Sequence, residues 1–160
     1  MQTSVEPSKE IIEQLQNEPS SDKAVVMLNL LRFRDQADYS DTDINGMACS
    51  GRKAYERYSK AVMPLLLEVG GSPIWMGDAQ STLIAPKGEQ WDQVLLVAYP
   101  SRQAFLKMIS SQAYQDIMGH RTAALLDSRL VETYPKFFPK RLVKLAGLGF
   151  RLKSLVAPAM

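Results

Sequence analysis

Ten consecutive residues, Ala24-Val25-Val26-Met27-Leu28-Asn29-Leu30-Leu31-Arg32-Phe33, are apolar on both alternations save for Asn29 and Arg32. Successive side chains of a strand point to opposite faces, so such a run belongs in a sheet covered on both sides. The rest of the chain can supply that cover. With 160 residues, 46% hydrophobic and 22% charged, it has the profile of one globular domain able to bury a core. That composition excludes disorder and collagen-like repeats. The single cysteine, Cys49, excludes a disulfide scaffold and points to a reducing compartment. The N-terminal MQTSVEPSKE reads as neither a secretory signal nor a transit peptide. No stretch approaches the roughly 20 apolar residues that span a bilayer, and a cytoplasmic protein is expected.

Around this strand the punctuation predicts an ordered series of elements. Pro7, Glu10 and the stripe Ile11, Ile12, Leu15 predict a helix over 7–17. Residues 34–50 are polar and predict a loop. Ser50 caps a long helix to about residue 69, whose apolar face includes Ala54, Tyr55, Tyr58, Val62, Leu65 and Leu66. Pro64 within it predicts a kink, and Gly70-Gly71 a stop. Strands over 73–85 and 91–99, helices over 103–109 and 112–126, and a strand over 129–134 complete the series. The order β-α-β-β-α-β after one extra helix is the ferredoxin-like, α+β pattern with a four-stranded antiparallel sheet. Its helices cover one face. The other face takes apolar alternations of residues 25–33 and 94–99, and a second copy of the chain is its simplest cover, giving a homodimer.

Several segments, taken in order, resemble one known family. They are Val26-Met27-Leu28-Asn29-Leu30-Leu31-Arg32-Phe33, Ala54-Tyr55-Glu56-Arg57-Tyr58, Ala61-Val62-Met63-Pro64-Leu65-Leu66, Gly70-Gly71, Trp91-Asp92, Tyr99-Pro100-Ser101-Arg102, Tyr114-Gln115, His120-Arg121 and Asp127-Ser128-Arg129-Leu130. Across residues 22–134 the set is similar to the family called domain of unknown function 1330 (DUF1330), within the dimeric α+β barrel superfamily. The resemblance implies a ferredoxin-like fold whose sheets pair into a barrel, but no particular reaction. Superfamily relatives include cofactor-free monooxygenases, lactone isomerases, dehydratase-like proteins and haem enzymes, so fold analogy favours only a small-molecule pocket between sheet and helices. The chain thus divides into an N-terminal helix and linker (1–21), the core domain (22–134) and a C-terminal tail (135–160).

Candidate chemistry centres on His120, the only histidine. Asp116, four residues earlier on the same expected helix, stands where it can orient the imidazole as a general acid or base. The competing reading is a surface pair that steadies the helix. Asn29 interrupts an apolar strand, and a buried amide needs a partner: a backbone group, a second subunit or a ligand. Arg32 and Arg121 are candidates to hold an anionic group, with Asp35 and Asp127 as their structural alternatives. Tyr58 and Trp75 are candidate pocket lining, although aromatic residues at such spacing are more often core. One His and one Cys form no tetrahedral metal set, phosphate-loop spacings are absent, and no cofactor is expected.

Charge divides the chain. Lys136, Lys140, Arg141, Lys144, Arg151 and Lys153 give residues 135–160 a charge of +6, leaving 13 bases and 17 acids before them. An acidic body argues against nucleic acid as partner. The basic, apolar tail suits an interfacial helix on anionic membrane, or a partner protein, or docking on its own body. The leading expectation is a small-molecule-binding protein working as a cofactor-independent enzyme of oxygenase, isomerase or dehydratase type, with His120 and Asp116 catalytic. The alternative is a non-catalytic accessory module acting through residues 136–160 at the inner membrane face.

Overall fold

A computed structural model describes residues 4–18, 23–40, 42, 44 and 48–136. Along them run α1 (Lys9–Asn17), β1 (Val25–Phe33), α2 (Gly51–Glu68), β2 (Ser72–Asp78), β3 (Gln93–Tyr99), α3 (Arg102–Ile109), α4 (Gln112–Ala124) and β4 (Leu125–Thr133). Each helix starts on a serine. The side chains of Ser8, Ser50, Ser101 and Ser111 accept from the amides of Ile11, Lys53, Ala104 and Tyr114, satisfying donors that a helix start leaves unpaired.

The strands form one antiparallel sheet in the order β2-β3-β1-β4, which is the ferredoxin-like arrangement and an α+β fold. Val25, Met27 and Leu31 of β1, Val97 and Tyr99 of β3 and Leu125 of β4 point to the helices and are buried. They merge into two clusters. One gathers Val25, Met27, Leu66, Val97, Tyr99, Phe105, Leu106 and Met108, with Ile12 and Leu15 of α1 packed on it. The other gathers Leu31, Ala54, Tyr55, Tyr58, Ala124 and Leu125. The opposite alternation, with Val26, Leu28 and Leu30 beside Val94 and Leu96, is only half-buried. Val131 and Trp75 on that face are 46% and 53% exposed. A single chain therefore covers one face of its doubly apolar strand.

Local details depart from the sequence pattern for identifiable reasons. β2 ends at Asp78 instead of continuing to 85. The amide of Ala79 still reaches the Asp92 carbonyl, but Leu83 and Ile84 lie beyond the ladder, 89% and 96% exposed. β4 begins at Leu125, earlier than residue 129. The carbonyls of Ala123 and Ala124 are taken there by the amides of Asp38 and Arg34, each at 2.9 Å, so helix passes directly into strand. Pro64 withholds one N–H from α2, yet the helix runs on to Glu68. At its start Gly51 meets the β1–β4 end so closely that a Cβ would lie 2.4 Å from the Arg34 carbonyl and 2.5 Å from that of Ala124. Gly70 follows the helix with φ +76°, the left-handed conformation of a helix stop.

Among the described residues no helix is long and apolar enough to cross a membrane. The expectations for the C-terminal tail rest on residues beyond Lys136, which lie outside those described.

Candidate ligand cavity

Between the helix-facing side of the sheet and the helices lies a partly open cavity of about 1140 Å³, bordered by residues of α1, α2, α3, α4 and all four strands. Its walls are mostly apolar, with Met27, Val62, Leu66, Leu95, Val97 and Met108 prominent. Its buried polar side chains are few, namely Arg121, Ser128 and the tyrosines 55, 58 and 99, with Asn29, Tyr114, Arg129 and Glu132 half-buried beside them; other polar lining residues, among them Glu6, Lys9, Glu13 and Gln16 on or just ahead of α1, are exposed. A mostly apolar hollow with a few polar groups is the usual character of a small-molecule site.

α1 closes one side. It contributes Ile11, Ile12 and Leu15 to the lining and is fastened at both ends. Ahead of it, the Ser4 amide donates to Asp127 Oδ1 at 2.9 Å and the Ser128 amide to the Ser4 carbonyl at 2.7 Å. Behind it, Arg102 ion-pairs with both Glu18 and Glu132, the latter at 3.0 Å. Burial raises the Asp127 carboxyl, but the Ser4 amide and the Arg129 guanidinium together hold it below its ordinary value.

The tyrosines form a chain of ring contacts. Phe33–Tyr55 and Tyr55–Tyr58 have centroids 5.4 Å apart, and Tyr58 meets Tyr114 edge-on at 6.3 Å. The Tyr58 hydroxyl donates to that of Tyr114 at 3.2 Å. Burial pushes Tyr55 up to about 12, with the Arg121 charge pulling the other way; burial likewise carries Tyr58 well above its ordinary value. These phenols stay protonated at neutral pH and serve as hydrogen-bond donors.

Of the residues singled out from the sequence, Asn29, Tyr58 and Arg121 meet at this cavity. Asn29 Nδ2 donates to the carbonyls of Met27 and Leu95 at 3.2 and 3.3 Å. Backbone groups thus take its donors, and its acceptor Oδ1 is what it has to offer a ligand. Arg121 is not paired with Asp127, which Arg129 holds at 2.6 Å. It donates instead to the Val5 carbonyl and, at 3.3 Å, to Ser128 Oγ.

His120, Asp116, Arg32 and Trp75 are not in the lining. The expected Asp116–His120 pair is not formed. Asp116 accepts from Gln112 Nε2 at 2.8 Å, and His120 Nδ1 meets the Tyr39 hydroxyl at 2.9 Å, with the two rings edge-to-face. Tyr39 comes from the loop after β1, and the competing partner was not visible in helical spacing. Arg32 shares the open-face alternation with Leu28 and Leu30 and stands opposite Asp127 in the β1–β4 register. Trp75 is displaced by a bulge: Pro73 pairs with Val97, but Trp75 pairs with Leu96. The extra residue turns the indole to the open face and leaves Met76 to line the cavity.

Residues missed from the sequence are Tyr114, Tyr99 and the α1 wall. Tyr114, Met118 and Arg121 all line the cavity, and their spacings of four and three residues were a readable signal of one helical face.

Comparison with known proteins agrees with this architecture. The family model described as "domain of unknown function (DUF1330)" matches residues 44–134. A solved structure of RPA0582, a protein of unknown function from Rhodopseudomonas palustris, is 34% identical with a TM-score of 0.76, covering 86% of this chain and 100% of that one. The methylated form of RPA0582 gives 35% identity and a TM-score of 0.77, covering 86% of this chain and 98% of that one. A dimeric ferredoxin-like protein of unknown function from Bacteroides fragilis is 12% identical with a TM-score of 0.45, covering 70% and 96% of the two chains. Among curated proteins no significant match is found. With more than half the chain under the family model, and a solved relative aligned along its whole length, the chain belongs to the DUF1330 family.

Proposed function

We propose that this protein binds a small, mainly apolar molecule in the cavity beneath α1, and does so as a homodimer joined through the open face of its sheet. The observation that carries the first part is the cavity itself: about 1140 Å³ of mostly apolar space with few buried polar side chains in its walls. Asn29 Oδ1 and the Tyr58–Tyr114 hydroxyls orient an oxygen-bearing group, and the apolar wall supplies affinity. The reading assigns no proton transfer to His120, which is hydrogen-bonded to Tyr39 and stands outside the lining.

The second part rests on the face carrying Val26, Leu28, Leu30, Val94 and Leu96, which the chain leaves half-buried. A two-fold axis over this face sets it against its own copy and covers both at once.

Titration with the neutral fluorophore N-phenyl-1-naphthylamine tests the cavity. The wild-type protein is expected to bind it with enhanced emission. Val62→Trp, which fills the cavity from α2, is expected to weaken binding about tenfold, near 1.4 kcal/mol, with the circular dichroism spectrum unchanged. Absence of binding, or equal binding by the filled variant, overturns the reading.

A further inference from the structure

Arg121 sits at the cavity wall and is 8% exposed. A guanidinium withdrawn from water to that degree normally has an anion beside it, because burying an uncompensated charge is expensive. Among the described residues, no carboxylate forms an ion pair with Arg121. The nearby acids are engaged elsewhere: Asp127 with Arg129, Glu132 with Arg102, and Glu6 with the Thr122 hydroxyl. What Arg121 does hold is neutral, the Val5 carbonyl and Ser128 Oγ. These use two of its five N–H donors.

We infer that the cavity selects a monocarboxylate with an apolar body, its carboxylate held by Arg121 and its body against the apolar wall. This rests on the cavity being the binding site. The planar guanidinium fork matches the two oxygens of a carboxylate. Arg121 is the one buried cation of the lining, since Arg129 is already neutralised by Asp127 and Lys9 is exposed on α1, and a single buried guanidinium suits a monoanion better than a phosphate dianion. The Tyr55 and Tyr58 phenols, whose ionisation is influenced by the Arg121 charge, flank the same end of the cavity and remain neutral, so they do not compete with the ligand as anions. The bound carboxylate would also steady the segment ahead of α1, because Arg121 reaches the ligand and the Val5 carbonyl together.

The test is displacement of N-phenyl-1-naphthylamine from the full-length wild-type chain near neutral pH by decanoate, decanol and decyltrimethylammonium. Decanoate is expected to displace the probe at about tenfold lower concentration than decanol, with the cation weakest. In Arg121→Met the decanoate advantage is expected to vanish while decanol is retained. If decanoate is no better than decanol in the wild type, the carboxylate inference falls and the cavity reading stands. If the probe itself does not bind, both fall. The wild-type comparison needs no variant, so a failure of Arg121→Met to fold leaves the inference exposed to refutation.

Discussion

One step along an α-helix turns a side chain by about 100°, and that turn separates Arg121, which lines the cavity, from His120, which meets Tyr39 outside it. Burial, and then the charge of Arg57, lower His120 from its ordinary 6.5, so the ring is neutral at pH 7 and holds the Tyr39 loop by a neutral hydrogen bond. Because its folded value lies below its unfolded one, the unfolded chain binds more protons in the interval between them. Stability from this residue is therefore complete above about pH 7 and is lost as pH falls through the folded value. His120→Gln, which cannot titrate, is expected to lose less stability than wild type between about pH 7 and 5 in denaturant melts; parallel profiles would contradict this. The chemistry of single residues was partly legible. Asn29 announced itself by interrupting an apolar strand, and its partners proved to be backbone carbonyls. His120 misled because helical spacing offered Asp116 as its partner, while the partner it has, Tyr39, lies 81 residues away in sequence.

Elements were legible where local chemistry dictates them. The Ser50 cap, the doubly apolar β1 and the one-sided face of α2 all mark their own limits, whereas α1 starts from a Ser8 cap and not at Pro7. β2 was harder to delimit, since its bulge between Pro73 and Trp75 is set by pairing with β3 and reverses which side chains face the cavity. The role of α1 as a wall was not legible at all. Its attachments join Ser4 to Asp127 and Glu18 to Arg102, and neither spacing has a local signature. Arg102 is the fastening that links α1, α3 and β4. Arg102→Met leaves Glu18 and Glu132 without their cation, and about 1 kcal/mol of destabilisation is expected, much of Glu18's share being screened by solvent. Hydrogen exchange should show faster opening of α1 amides with little change in the central strands. An unchanged α1 would mean that Ile12 and Leu15, packed on the core, hold the helix by themselves.

At the level of the whole molecule, a sheet packed on one side and apolar on both leaves a surface that water covers poorly. Leu28→Glu places a charge at the middle of that face and is expected to convert a dimer to a monomer in sedimentation velocity, with the helix-side cavity still binding N-phenyl-1-naphthylamine. A wild-type chain that sediments as a monomer would contradict the pairing of sheets without touching the cavity. The cavity beneath α1 is examined directly by a crystal structure of the protein grown with decanoate. Ligand density is expected between α1 and the sheet, with the carboxylate on Arg121 and the chain running past Tyr58 toward Leu95 and Val97. Density confined to the open sheet face, or a cavity filled by its own side chains with no ligand in it, would contradict that expectation.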